Sequence, residues 1–79
     1  MISIKHLRYF AALAQHRHFG RAADACAISQ PALSLQIKDL ENLLGAQLVE
    51  RDRRQIRLTS LGEAFAGRAQ HILRSVDEL

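Results

Sequence analysis

Ser29, Gln30, Pro31, Ser34, Gln36 and Lys38 crowd into ten consecutive positions. Amide, hydroxyl and ammonium groups at this density suit hydrogen bonds to base edges and phosphate oxygens. A second cluster follows at Arg51, Arg53, Arg54 and Arg57, whose guanidinium arms suit a narrow, electronegative minor groove or, read alone, an ordinary solvated hairpin. Covalent chemistry has no comparable set. The chain has no G-x-S-x-G, no Gly-rich phosphate loop and no H-E-x-x-H, and its acids read as solvated helix positions without a paired base, so it is not read as an enzyme. His16 and His18, two apart, fall on different helix faces with no Cys or acid at ligand spacing, so they read as surface residues. Neither a metal nor a cofactor is expected.

The polar cluster needs a helix to carry it. Ser29 is a good N-cap, Pro31 fits a first turn where its missing N–H costs nothing, and Gly45 is a ready C-cap. Leu33, Ile37, Leu40 and Leu44 then fall on one buried stripe. At about 100° per residue, Pro31, Leu35, Lys38 and Asn42 lie furthest from that stripe, with Gln30 and Ser34 on one shoulder. The acids Asp39 and Glu41 come late, leaving the first turns free of carboxylates.

Scaffold must surround this helix. Ile4, Leu7, Phe10, Ala11 and Ala14 predict a helix over 4–16, and the Ala-rich run predicts a short helix over 21–27, after an interruption at Gly20. Residues 19–38 then read as two helices around a tight corner, a helix-turn-helix. β-Branched runs at 47–50 and 56–59, split by charged residues, predict a small hairpin wing. A long helix over 60–79 follows, capped by Thr59 or Ser60, with Ser60 and Glu63 spaced as a capping box. Its positions Phe65, Ala69, Ile72, Val76 and Leu79 form a heptad seam that calls for a partner helix, either a second copy or the first helix of the same chain. The length of the seam favours a homodimer. The seam still runs at Leu79, so a front piece of a longer protein is expected.

Composition sets the limits. Seventy-nine residues make one modest core, so self-association would help. The single cysteine, Cys26, fits a reducing, cytoplasmic setting and reads as core filler. No stretch is long and apolar enough to span a membrane, and no membrane partner is expected. Residues 1–59 hold nine Lys/Arg and five Asp/Glu, a balance of +4, against −1 for residues 60–79. The basic excess sits with the polar cluster and permits nucleic-acid binding.

Several motifs in order resemble the N-terminal winged helix-turn-helix domain of LysR-type transcriptional regulators. They are Leu7-x-x-Phe10, Ala22-Ala23, the block from Ser29 to Ser34, Gln36-Ile37, Leu40-Glu41, Leu44-Gly45, Leu48, Glu50-Arg51, Arg54, Leu58-Thr59 and Gly62. The stretch HRHFGRAADAC is similar to the peroxide-responsive, OxyR branch of that family. The resemblance implies a mainly α fold: a three-helix core with a small β-hairpin wing in residues 1–59, then a linker and dimerisation helix over 60–79. The effector-binding domain would be absent from this chain.

The resemblance also implies Gln30, Pro31 and Ser34 in the major groove and Arg54, with Arg53 at the wing tip, in the minor groove. Arg21, Ser29, Gln36 and Lys38 are expected on the phosphate backbone, which sets register and salt dependence. Leu35 departs from the polar or basic residue common in the family, so readout there must be apolar or absent. The implied function is a sequence-specific regulator that binds a two-fold-related double-stranded site as a dimer. Tetramers and RNA polymerase are further partners for the full-length protein, and activation by hydrogen peroxide is one implied response. Two alternatives stand beside it: a regulator answering a small-molecule effector, and a winged-helix module that binds proteins instead of DNA.

Overall fold

Local capping decides where the helices begin. In the computed structural model, which describes residues 1–50 and 55–79, four helices follow one another: α1 (Ile4–His16), α2 (Phe19–Ala25), α3 (Gln30–Leu44) and α4 (Ser60–Asp77). Ser3 caps α1 and His6 takes the acidic residue's place in a capping box, its Nδ1 accepting from the Ser3 N–H at 3.0 Å. Helix α1 has the predicted bounds. Ser29 caps α3, its hydroxyl accepting from the Ala32 N–H at 3.2 Å, and Gly45 ends it with φ 70°. Ala46 N–H then reaches Glu41 O at 3.2 Å, closing a Schellman motif.

Both ends of α2, the capping box of α4 and the end of α4, at Asp77 and not Leu79, differ from expectation. Helix α2 spans Phe19–Ala25, displaced from 21–27, because the exposed His18 ring caps it by accepting from the Arg21 N–H at 3.1 Å and Gly20 is absorbed in its first turn. The helix ends in a second Schellman motif: Ala27 adopts φ 57°, and Ile28 N–H bonds Ala23 O at 3.1 Å. Thr59 caps α4, accepting from the Gly62 N–H at 2.9 Å, so Ser60 lies inside the helix and forms no box with Glu63. Glu63 is engaged instead by Arg17 at 2.9 Å. Where a hairpin was predicted, the described residues hold one antiparallel bridge, Val49 with Leu58, flanked by Glu50 N–H to Arg57 O at 2.8 Å and Thr59 N–H to Leu48 O at 3.0 Å.

Helix α1 packs against the other three helices, and α2 against α3. The core they enclose is centred on Phe10, Leu13, Leu33, Ile37, Leu40, Leu48 and Val49, all fully buried. Phe65 of α4 meets Phe10 edge-on, with ring centroids 5.6 Å apart. One acidic side chain sits inside this packing. Glu41 was read as solvated, yet it is buried and accepts from the Leu48 and Val49 N–H groups at 2.7 and 3.2 Å. It thereby satisfies backbone donors that lie deep beside the core.

The seam of α4 divides. Ala69 is buried with Leu7 and Leu73, and Phe65 is half-buried on both clusters, so the front of the seam serves the same chain's α1. Leu73, absent from the predicted seam, completes that contact because it follows Ala69 by four residues. Ile72 and Leu79 remain exposed and Val76 half-buried. Cys26 is half-buried as the C-cap of α2 and not in the core; burial pushes its thiol pKa up.

Candidate nucleic-acid interface

The outer face of α3 is built by two constraints acting at once. Its ends are fixed by Ser29 and Gly45, and its rotation about the axis is fixed by burial of Leu33, Ile37 and Leu40. Gln30, Pro31, Ser34, Leu35 and Lys38 are consequently turned to solvent together, while Gln36 is half-buried at the edge. Ser29 is exposed with its oxygen already committed to the cap, so its hydroxyl retains a proton to donate. Arg21 stands exposed on α2, which packs against α3. The Gln30 side chain borders a cleft shared with His18, Phe19, Gly20, Gln55 and Ile56.

Both α3 carboxylates are engaged by the protein itself. Asp39 Oδ2 lies 2.7 Å from His6 Nε2. Because His6 Nδ1 accepts from the Ser3 N–H, the hydrogen-bond pattern assigns the proton to Nε2, which donates to Asp39. Glu41 is turned inward onto Leu48 and Val49. The face that presents amide, hydroxyl and ammonium groups therefore carries its negative charge on side chains already bonded elsewhere. Neither contact shows in the helical periodicity; the S-x-x-H spacing of Ser3 and His6 is the one local signal for the first.

The wing residues divide differently. Arg57 is exposed on the bridged segment, whereas Arg51, Arg53 and Arg54 lie outside the described residues. Of the seam, Phe65 and Ala69 face α1, Ile72 and Val76 line the remainder of α4, and Leu79 lies beyond the helix end at Asp77. Among the described residues no group of three or more His, Cys, Asp or Glu side chains could hold a metal, and no helix is long and apolar enough to cross a membrane.

Residues 4–63 match the family model of the bacterial regulatory helix-turn-helix proteins of the lysR family. The DNA-binding transcriptional dual regulator OxyR of Escherichia coli K12 is 47% identical over 99% of this chain, and the Hca operon transcriptional activator HcaR of the same strain is 47% identical over 96%. The chain spans 26% of the length of each of these relatives, which are transcriptional regulators and not enzymes. Among solved structures, full-length OxyR from Pseudomonas aeruginosa superposes with a TM-score of 0.95 at 42% identity, covering 99% of this chain and 26% of that one. The BenM DNA-binding domain in complex with benA site 1 DNA superposes at 0.94 with 43% identity, covering 98% of this chain and 86% of that one. The chain belongs to the bacterial regulatory helix-turn-helix proteins of the lysR family.

Proposed function

We propose that this chain is the sequence-specific, double-stranded-DNA-binding part of a LysR-type transcription regulator. The observation that carries the reading is the outer face of α3: its polar and basic side chains stand free together while Asp39 and Glu41 are bonded to His6 and to the Leu48–Val49 backbone. Likeness to the BenM and CbnR DNA-binding domains in their DNA complexes supports it. In this reading Gln30 hydrogen-bonds a base edge, Ser34 meets a base or a phosphate, and Pro31 packs on a thymine methyl. Arg21, Ser29, Gln36 and Lys38 hold the phosphate backbone. A hairpin wing places Arg53 and Arg54 in the flanking minor groove. The free part of the α4 seam pairs two copies, so that two α3 helices meet a two-fold-related site. The protein would act in the cytoplasm, with tetramers and RNA polymerase contacts belonging to the full-length protein.

Relatives with different stated roles, OxyR and HcaR, match at equal identity. This domain therefore does not distinguish a response to peroxide from a response to another small molecule. Titration of the chain against the duplex upstream of its own gene and a shuffled duplex, at several salt concentrations, tests the reading. Preferential binding with a steep loss of affinity on adding salt is the expected result, because neutralised phosphates release counterions. Equal, salt-insensitive binding to both duplexes would favour the protein-interaction module.

A further inference from the structure

Leu35 is the most exposed large apolar side chain within any described helix, at 70% of its full surface, and contributes nothing to either core cluster. It stands midway along the outer face of α3, between Ser34 and Gln36, one turn after Pro31 and one turn before Lys38. Single exposed leucines are common on protein surfaces, and it is the placement of this one that matters. Its exposed neighbours are Pro31 one turn before, Ser34 beside it and Lys38 one turn after, and the nearby Asp39 carboxylate is bonded to His6. A small apolar contact bordered by hydrogen-bonding groups matches the major groove, where the C5-methyl of a pyrimidine is the apolar feature between polar base edges.

We propose that Leu35 is a specificity-determining residue that reads the C5-methyl group of a pyrimidine in each half-site. The inference rests on the DNA-binding reading of α3 and adds what that reading leaves open, the chemistry selected where the helix face carries no hydrogen-bonding group. Leucine makes no hydrogen bond that separates thymine from cytosine, so the discrimination comes from the methyl group. Thymine and 5-methylcytosine supply the same methyl, and thymine is the source expected at an unmodified site. Gln30 and Ser34 then read the adjoining positions by hydrogen bonds.

The test starts by selecting preferred duplexes from a random pool with the full chain. Each thymine of the selected site is then replaced in turn by deoxyuridine, which removes the methyl and nothing else. Besides the position that Pro31 reads, one further position per half-site should lose about fourfold in affinity, the value of one buried methyl-sized group. At that further position Leu35→Ala should bind the thymine and deoxyuridine duplexes equally, while the penalty at the Pro31 position remains. Placing 5-methylcytosine, but not cytosine, at that position should recover part of the wild-type affinity. Because Leu35 lies outside the core, circular dichroism of Leu35→Ala should match the wild type. Selective binding with no deoxyuridine-sensitive position, or deoxyuridine penalties that persist at every sensitive position in Leu35→Ala, overturns the methyl reading while leaving DNA binding intact. Failure to select any duplex overturns the DNA-binding reading itself.

Discussion

Ala27 carries the cost of the turn between α2 and α3. Its φ of 57° lies in the left-handed region that an L side chain enters at an energetic cost, yet the two bonds that close the turn, Ile28 to Ala23 and Ala27 to Asp24, require it. Ala27 is exposed, so removing its methyl opens no cavity. Ala27→Gly should therefore raise stability by about 1 kcal/mol in urea unfolding; an unchanged or lower midpoint would show that the turn is not under strain. His6 and Glu41 show the other side of the residue scale. His6 bonds Asp39, 33 residues along the chain, and Glu41 bonds the backbone seven and eight residues on, and helical periodicity announces neither. The sequence made both look like ordinary helix positions because the periodicity of α1 and α3 reports which face is buried, not which polar group waits there. Caps at Ser29 and Gly45, and Thr59 as one of two candidates, were legible for the opposite reason: donor, acceptor and backbone turn lie within a few residues.

At the scale of elements, α4 is placed by a close approach. A Cβ added at Gly62 would lie 2.1 Å from Leu48 O, so only glycine lets the first turn of α4 meet the bridged segment. The Thr59 hydroxyl ties the same two segments by donating to Gln47 O at 2.8 Å. Gly62→Ala should cost about 3 kcal/mol, as overpacking against backbone does; thermal unfolding close to the wild type would mean that α4 shifts freely. Legibility at this scale was uneven. The bounds of α1 and α3 follow from caps and periodicity, whereas α2 begins earlier than predicted because a histidine supplies the cap and glycine is tolerated in the first turn. The α4 seam was visible, but a period cannot name its partner, and Phe65 and Ala69 proved to serve α1. Much of the outer face of α3 was legible, since fixing the buried stripe fixes its opposite side.

For the whole molecule, the proposed function needs two faces, the outer face of α3 to meet DNA and the free side of α4 to pair copies. Arg8 to Asp77 at 3.0 Å and Arg17 to Glu63 at 2.9 Å flank α4 on α1. Both pairs are solvent-exposed and contribute little; buried Ala69 and Leu73, with half-buried Phe65, hold the helix in place. Ile72, 43% exposed, and half-buried Val76 are the residues proposed to pair with a second copy. Replacing both with Asp should give monomers in sedimentation while circular dichroism stays helical, because charges would be forced into the seam. A double variant that stays dimeric would place the dimer contact elsewhere.

The central claim is that the outer face of α3 reads sequence, and Gln30, exposed beside the N-cap Ser29, is its sharpest test. The measurement compares the Kd of wild type and Gln30→Ala on the preferred duplex and on a shuffled one at fixed salt. Loss of about 1–3 kcal/mol on the preferred duplex, with little change on the shuffled one, is the result the account predicts for an amide paired with a base edge. Equal loss on both duplexes would contradict it.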